Sequence, residues 1–185
     1  MNFRPIVDVT MLAWFILEIS RNSYRLSRRN PEDHGSSIRI FVLLAVCFII
    51  SFIFRRAGAG TVTIPDWLGW GSIGIMVFGI AFRQYAITVL GAYFSPVIRV
   101  QEGQQLIQSG PYRYIRHPTY AGMLLAFYSA GLALGNWIIL AAFVLLPTIA
   151  IVRRIKAEEL MLERHFGKIY REYRLKTRAL IPFLY

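Results

Sequence analysis

An uncharged stretch at residues 118–152 is the feature that most restricts how this chain can fold. As one α-helix it would be about 52 Å long at a rise of about 1.5 Å per residue, whereas the hydrocarbon core of a bilayer is only about 30 Å thick. A glycine–asparagine pair, which favours a turn, lies near its centre at Gly135 and Asn136. The stretch therefore predicts a hairpin of two membrane helices that turns at these two residues.

The rest of the chain is also apolar enough for a membrane protein. Hydrophobic residues make up 56% of it and charged residues 17%, whereas about 25% of residues in a typical soluble domain are charged. Three further apolar segments precede the hairpin, at 6–20, 37–54 and 67–90. We therefore predict an all-α integral membrane protein with about five transmembrane helices, and we expect Asp66 to cap the third. Without the first and weakest segment there would be four.

The basic residues indicate how the helices are oriented. The net charge is +11, and with an outside N-terminus most of the 21 Lys and Arg residues fall in inner segments, at 21–39, 91–117 and 153–185. Cytoplasmic loops of membrane proteins carry such an excess of positive charge. The clusters between apolar runs favour membrane lipids as partners and argue against nucleic acid. We predict a multi-pass protein with a cytoplasmic C-terminus.

Two local features complete this outline. Residues 153–177 have apolar residues at helical spacing with charges between them, which predicts that the fifth helix continues as a cytoplasmic amphipathic helix with a break near Gly167. Residues 26–36 are expected to form a polar loop. The single cysteine, Cys47, lies in an apolar run, so neither an intrachain disulfide nor a cysteine metal cluster is possible, and we predict no metal site.

The segment that leads into the hairpin, SGPYRYIRHPTYAG at residues 109–122, is polar and rich in tyrosine. Pro118 suits the first turn of a helix and disfavours helical geometry at the residue before it, so we expect His117 at the mouth of the fourth helix. A helix N-terminus attracts anions. A ligand carboxylate could therefore be bound here by His117, Tyr120 and Arg116.

The same segment offers a surface for a flat base. Gly110 would permit close backbone approach, and Tyr112 and Tyr114 would supply aromatic rings. An interfacial belt of tyrosines and a structural role for the histidine are the alternative interpretations.

Two adjacent glutamates, Glu158 and Glu159, follow the hairpin. Because the two ends of a hairpin lie at the same membrane face, His117 can meet this pair in space. A glutamate there could bind an amine, the hydroxyls of a ribose or a sulfonium ion. An ordinary helical ion pair, such as Arg154 with Glu158, is the alternative interpretation.

Arg83 lies in the last third of the third predicted helix. A cation within a membrane span is costly and is by default a functional hypothesis. Snorkelling to the headgroups and a charge pair with Glu18 are the structural alternatives.

Several motifs, in this order, resemble the isoprenylcysteine carboxyl methyltransferase family. They are RQYAITVLGAYFSP at 83–96, QLIQSGPYRYIRHPTYAG at 105–122, EELMLERHFGKIYREY at 158–173 and RALIPF at 178–183. With the uncharged hairpin they cover more than half of the chain. RHPTY followed one hairpin later by EE…L…FG..Y..Y is the most specific element, and looser forms of it occur in phospholipid N-methyltransferases and sterol reductases.

The resemblance implies a small enzyme of the bacterial inner membrane that uses S-adenosylmethionine and has no soluble Rossmann domain. Its cofactor site would face the cytoplasm, and a lipid-bearing or prenylated acceptor would approach from within the bilayer. We accordingly divide the chain into an N-terminal two-span segment, 1–60, and a catalytic region, 61–185. Members often have a histidine where this chain has Gln104, which cannot become cationic. The predicted cofactor-binding residues are Gln104, Leu106, Ile107, Gly110, Tyr112, His117, Pro118, Tyr120, Glu158 and Glu159.

The identity of the acceptor stays open. Methyl transfer to a carboxylate needs alignment more than proton transfer, and a cation such as Arg83 or Arg116 could orient that carboxylate, whereas an amine acceptor would favour a glutamate as base. O-methylation of an isoprenylcysteine-type carboxylate is thus the first interpretation, and N-methylation of a phospholipid or small amine is the second. A reductase and a non-enzymatic membrane interaction subunit are further alternatives. The predicted catalytic residues are Arg83, Arg116 and Glu159.

Overall fold

The structure is a computed structural model of the chain, which describes residues 3–26, 36–98 and 103–180. These residues form α-helices and short 3₁₀ turns and no strand, so the all-α prediction is confirmed for them. The predicted polar loop lies almost wholly outside the described residues, and so do residues 181–183 of the last motif. The α-helices are α1 (Arg4–Leu26), α2 (Ser36–Ala57), α3 (Asp66–Leu90), α4 (Pro118–Ala133), α5 (Trp137–Phe166) and α6 (Lys168–Lys176).

Helices therefore cover all five segments that were predicted to span a membrane. Among the described residues, two of them are long and apolar enough to cross one by length and composition, namely α3 with its extension to Tyr93 and α5, with mean hydropathies of 1.7 and 2.2. The helices also expose large apolar side chains, which a water-soluble monomer rarely does in quantity; examples are Val9, Phe52, Trp67, Phe78 and Leu145. The count of five spans stays a prediction.

The hairpin between α4 and α5 turns at Gly135 and Asn136, as predicted. Gly135 has a φ of 60°, and the Asn136 side chain accepts hydrogen bonds from the backbone N–H groups of Ile138 (3.0 Å) and Ile139 (3.1 Å). Such caps satisfy N–H groups that have no partner within the helix. The Asn136 amide also donates to the Ala59 carbonyl at 2.7 Å, so this one residue fixes the hairpin to the connection between α2 and α3.

The start of α3 differs from its prediction. Asp66 was expected to cap this helix, but that expectation is wrong, because Pro65 occupies the cap position and Asp66 is the first helical residue. The Pro65 backbone is extended, with φ −60° and ψ 147°, and its carbonyl accepts from the N–H groups of Leu68 (3.0 Å) and Gly69 (3.1 Å). Proline has this φ built in, so it can start the helix without a side-chain cap.

Two glycines bring α3 and α4 into close contact. A Cβ atom on Gly122 would lie 2.6 Å from the carbonyl oxygen of Gly79 and 2.8 Å from the backbone nitrogen of Arg83. A Cβ atom on Gly79 would lie 2.8 Å from the carbonyl oxygen of Gly122. Small residues permit this kind of backbone approach between membrane helices, and the contact places Arg83 beside the first turns of α4.

Gly122→Ala is expected to lower the free energy of unfolding by about 1–3 kcal/mol, because the added methyl group meets backbone atoms that can move only with their helix. The measurement is thermal unfolding of the purified protein in detergent. Gly74→Ala on α3 is the matched control, since a Cβ atom there meets nothing within 4 Å. Equal stability of the two variants would contradict the packing argument.

Helices α1 and α2 pack in the same core as the later helices. Val7, Met11 and Trp14 of α1 are buried in one cluster with side chains of α3, α4 and α5. Cys47 of α2 is also buried there, as its apolar surroundings indicated. The parts of the chain before and after residue 60 thus contribute to one core. Their division into two domains stays a prediction.

The end of α5 shows the predicted break, and the cytoplasmic location of its charged end stays a prediction. The helix continues past the uncharged stretch to Phe166 and ends at Gly167, which has a φ of 54° and donates its N–H to the Glu163 carbonyl at 2.9 Å. Glycine adopts this left-handed conformation without steric cost. The chain then turns into α6, so that residues 168–180 fold back against the mouth of α4.

Candidate functional site

His117 lies at the mouth of α4, as predicted. It is the cap residue of the helix, and its side chain is almost fully buried. The mouth is held from the C-terminal side by two backbone hydrogen bonds, from Arg116 N–H to the Arg178 carbonyl (2.8 Å) and from His117 N–H to the Ala179 carbonyl (3.0 Å). The residues after α6 thus form one wall of this site.

Glu159 links the mouth of α4 to α5. Its Oε1 atom accepts from Arg116 Nε at 2.7 Å and lies 3.3 Å from His117 Nε2. The predicted meeting of the histidine with the glutamate pair is therefore confirmed. Arg116 also donates through Nη1 to the Thr177 carbonyl at 2.6 Å. This guanidinium thus connects α4, α5 and the segment after α6.

The carboxyl group of Glu159 is strongly acidic. Residue 159 lies on the charged end of α5, beyond the uncharged stretch. Burial raises its pKa, but hydrogen bonds from His117 and Arg116 and the charge of Arg116 outweigh burial and lower the pKa from 4.5 to about 2. The carboxylate is therefore ionised at any physiological pH and serves as a fixed negative charge.

The free energy of unfolding is expected to decrease as the pH is lowered, and part of this decrease comes from Glu159. Because the folded-state pKa is lower than the unfolded one, the contribution of Glu159 is complete above pH 4.5 and is lost as the pH falls towards 2. Glu159→Gln should therefore destabilise the protein at pH 6, and the difference between variant and wild type should shrink at pH 3. Denaturant unfolding at both pH values measures it, and an unchanged difference would contradict the prediction.

Glu158 belongs to a second chain of contacts. It accepts a hydrogen bond from the Tyr120 hydroxyl at 2.7 Å, and that hydroxyl accepts from Arg154 Nε at 2.6 Å. The Tyr120 ring also stacks on the His117 ring, with centroids 5.6 Å apart. The two glutamates therefore act on different partners, although both reach the mouth of α4.

His117, Tyr120 and Glu158 line a cleft with about 1460 Å³ of empty space, including its open side. One part, the polar half, is formed by residues of the pre-helix segment, the mouth of α4, the charged end of α5 and α6: Gln104, Leu106, Ile107, Tyr112, Arg116, His117, Tyr120, Arg154, Glu158, Tyr170 and Tyr173. The other part, the apolar half, is formed by α1, α2 and α4: Met11, Trp14, Phe15, Phe48, Met123 and Phe127. The cleft can therefore hold a polar group and an apolar group side by side.

Arg83 lies on the cleft wall and forms a buried ion pair with Glu18. Its Nε and Nη2 atoms donate to the two carboxylate oxygens at 2.8 and 2.9 Å, and Nη1 donates to the Thr119 carbonyl at 3.1 Å. Trp14 Nε1 also donates to Glu18, at 3.1 Å. The charge pair that was one structural interpretation of Arg83 is thus confirmed, and it links the apolar half to the first turn of α4.

The predicted site residues divide into two groups. Most line the cleft, but Gly110, Pro118 and Glu159 are not among its lining residues. A Cβ atom on Gly110 would face Tyr85 and Val89 of α3. Tyr114, which was expected to offer aromatic surface, is 60% exposed. The roles of all predicted residues in binding or catalysis stay predictions.

The sequence interpretation missed several residues of the cleft. Arg154 was considered only as a partner of Glu158, and the tyrosines of α6 were considered only as part of a motif. For Arg154 the signal was weak: adjacent residues of a helix point in different directions, so Arg153 and Arg154 need not share one environment, but the sequence does not show which of them is buried. For Tyr170 and Tyr173, the spacing of three residues, which places them on one helix face, was the signal.

Residues 72–164, about half of the chain, match the Isoprenylcysteine carboxyl methyltransferase (ICMT) family. The chain belongs to this family. The predicted family is therefore confirmed. The matched residues include most of α3, the mouth of α4, the hairpin and both glutamates, but they leave out α1, α2 and α6.

Individual relatives of this ICMT family member support the assignment. The chain is 33% identical over 112 residues to a probable protein-S-isoprenylcysteine O-methyltransferase of Oryza sativa subsp. indica, which covers 60% of this chain and 59% of the relative. It is 24% identical over 149 residues to the protein YpbQ of Bacillus subtilis, which covers 80% and 88% of the two chains. The chain thus spans about three fifths of the length of the rice relative.

A solved structure shows the same fold. It is that of the eukaryotic intramembrane Ras methyltransferase ICMT, with a TM-score of 0.64 and 23% sequence identity. The match covers 78% of this chain and 52% of the other. The ICMT-like fold thus extends beyond the residues that match the family by sequence.

Proposed function

We propose that this chain is an S-adenosylmethionine-dependent methyltransferase of a membrane, which methylates the carboxylate of a lipid-bearing, isoprenylcysteine-type acceptor. The observation that carries the proposal is the single cleft with a polar and an apolar half. A cofactor fits the chemistry of the first, and a hydrocarbon chain fits that of the second. Membership of the ICMT family supports this assignment.

The residues of the polar half suit this cofactor. When bound, it supplies an electrophilic methyl group on a positively charged sulfur. Glu158 offers a carboxylate that attracts such a cation, and the positive end of the α4 helix dipole suits the cofactor's own carboxylate. Tyr112 is buried and offers an aromatic face for its base. Gln104 replaces a histidine common in the family with a neutral hydrogen-bonding group.

The cations in the cleft favour a carboxylate acceptor. A carboxylate oxygen is already a nucleophile, so the protein must align it with the methyl group and exclude water. Arg154 and Arg83 both line the cleft, and Glu18 neutralises Arg83 at 2.8 Å. We propose that this pairing keeps the acceptor from being held too tightly, since its negative charge decreases towards the transition state.

Arg116 and Glu159 have a different role in this proposal. Arg116 is occupied by Glu159 and by the Thr177 carbonyl, and Glu159 is not among the residues that line the cleft. Both are therefore positioning residues, which hold His117 and the segment after α6 in place.

The membrane location follows from the same arrangement. The apolar half lies between α1, α2 and α4, and α1 and α2 carry exposed apolar side chains on their outer surfaces, so the acceptor would enter from the bilayer. The basic residues around the polar half favour a cytoplasmic orientation, as expected for a bacterial inner membrane. Membrane lipids are the surrounding partners, and no nucleic acid is involved.

Labelled S-adenosylmethionine tests the proposal. The purified protein in detergent is given N-acetyl-farnesyl-cysteine, with phosphatidylethanolamine in parallel, and His117→Ala is compared with wild type. We expect label on the prenylcysteine that base releases as methanol, and we expect the variant to lose it. The stacking of His117 on Tyr120 and its contact with Glu159 are the reason.

Each other outcome has a defined meaning. Base-stable label on the amine lipid would establish N-methylation instead. Cofactor binding without label on either acceptor would leave the methyltransferase scaffold with a different acceptor. Failure to bind the cofactor at all would overturn the proposal and favour a non-enzymatic membrane subunit.

A further inference from the structure

Tyr170 of α6 has a buried hydroxyl group without a hydrogen-bond partner. Its side chain is among the largest fully buried ones, with 1% exposure. It is the one such unpaired side-chain atom in the described part of the chain. Buried polar groups in folded proteins are nearly always paired, because leaving one unpaired costs free energy. This hydroxyl therefore requires an explanation.

The position of Tyr170 indicates that the missing partner is a ligand. The residue lines the cleft on the side of the polar half. The groups that act on its hydroxyl electrostatically include Glu159, Arg116 and Glu158, all of which surround the mouth of α4. Its ring packs edge-on against Tyr173, with centroids 6.1 Å apart. Tyr170 thus belongs to the wall that a ligand in the polar half would touch.

We propose that the Tyr170 hydroxyl binds the nucleoside part of the methyl-donor cofactor. This inference rests on the proposed function and adds a binding residue outside the segment that matches the family. Burial raises the pKa of Tyr170, so the hydroxyl stays neutral and can either donate to a ring nitrogen or ribose oxygen or accept from an amino group.

The neutral chemistry of this wall favours the nucleoside over the amino-acid end of the cofactor. The amino-acid end carries an ammonium and a carboxylate, which suit Glu158 and the mouth of α4. Around Tyr170, the charges of Arg116 and Glu159 are already paired with each other at 2.7 Å, and the Glu158 carboxylate accepts from the Tyr120 hydroxyl at 2.7 Å. Tyr173 and the apolar Leu162 line the same region. A flat, uncharged base or a ribose fits such a wall.

A ligand role and a structural role predict opposite effects on the ligand-free protein. If the hydroxyl is unpaired without ligand, Tyr170→Phe removes an unsatisfied group and leaves stability unchanged or higher. Tyr173→Phe is the matched control, because the Tyr173 hydroxyl donates to the Tyr112 carbonyl at 2.6 Å. That variant should unfold at a lower temperature than wild type.

The test measures binding as well as stability. Titration calorimetry of the full chain in detergent gives affinities for S-adenosylhomocysteine and for 5′-methylthioadenosine, which lacks the amino-acid end. Tyr170→Phe is expected to weaken both by about five- to thirtyfold, the effect of losing one buried hydrogen bond. Its unfolding temperature without ligand should not fall.

The outcomes separate this inference from the proposed function. If wild type binds the ligands and Tyr170→Phe binds them with the same affinity, the inference is overturned and the proposed function still stands. Weaker binding of S-adenosylhomocysteine alone would overturn the assignment to the nucleoside. If Tyr170→Phe without ligand unfolds at as low a temperature as Tyr173→Phe, the hydroxyl has a structural role, and the inference is overturned as well. Absence of wild-type binding would overturn both proposals.

Discussion

Arg83→Leu is expected to lower the free energy of unfolding by about 3–5 kcal/mol, because it leaves the Glu18 carboxylate buried without its cation. The pair is bidentate, at 2.8 and 2.9 Å, and only about a tenth of each side chain is exposed. Gln84 and Trp14 also donate to Glu18, but neutral donors do not replace a positive charge. The measurement is denaturant or thermal unfolding in detergent.

The double variant Glu18→Leu with Arg83→Leu is the control. Removing both charges of a buried pair costs much less than removing one, so most of the stability should return. If the double variant were as unstable as Arg83→Leu, the cost would come from lost packing and not from an unpaired charge. Recovery of stability without recovery of methyl transfer would support a role of Arg83 in the cleft.

Arg154→Met is expected to lower kcat/KM for methyl transfer by about a hundredfold. Its guanidinium contacts the Tyr120 hydroxyl at 2.6 Å and lies 5.9 Å from the centre of that ring. Its loss would free Tyr120 and Glu158 to move and would remove a cation that can orient the acceptor. A misplacement of about 1 Å between reacting groups is enough for such a loss. Steady-state rates with a prenylcysteine acceptor measure it.

Arg153→Met is the matched control for this prediction. The two arginines are neighbours on α5, but Arg153 is exposed and Arg154 is buried. The control should keep wild-type activity, and Arg154→Lys should retain part of it, since it keeps the charge but not the planar fork. Equal losses in Arg153→Met and Arg154→Met would indicate a general effect of charge.

Local signals predicted the features of the fold that depend on local sequence. The turn at Gly135 and Asn136 and the break at Gly167 follow from residues that favour one backbone conformation. His117 at the mouth of α4 follows from the proline after it. The meeting of His117 with Glu159 was also predictable, because a hairpin fixes which of its ends share a membrane face.

Contacts between distant segments were less predictable. The pairing of Glu18 with Arg83 depends on how α1 packs against α3, and the sequence could offer it only as one of three interpretations. The spacing of Tyr170 and Tyr173 places them on one face of α6, but no local pattern shows that this face folds back on the cleft. The burial of Arg154 likewise depends on the rotation of α5.

The return of residues 168–180 to the mouth of α4 also fixes the order in which this protein can mature. During synthesis the hairpin leaves the ribosome before the segment that completes the polar half. Helices α1 to α5 can therefore pack against one another while the cleft still lacks its last wall. The cleft is complete only when α6 has folded back, with the Arg178 and Ala179 carbonyls bonded to the N–H groups of Arg116 and His117.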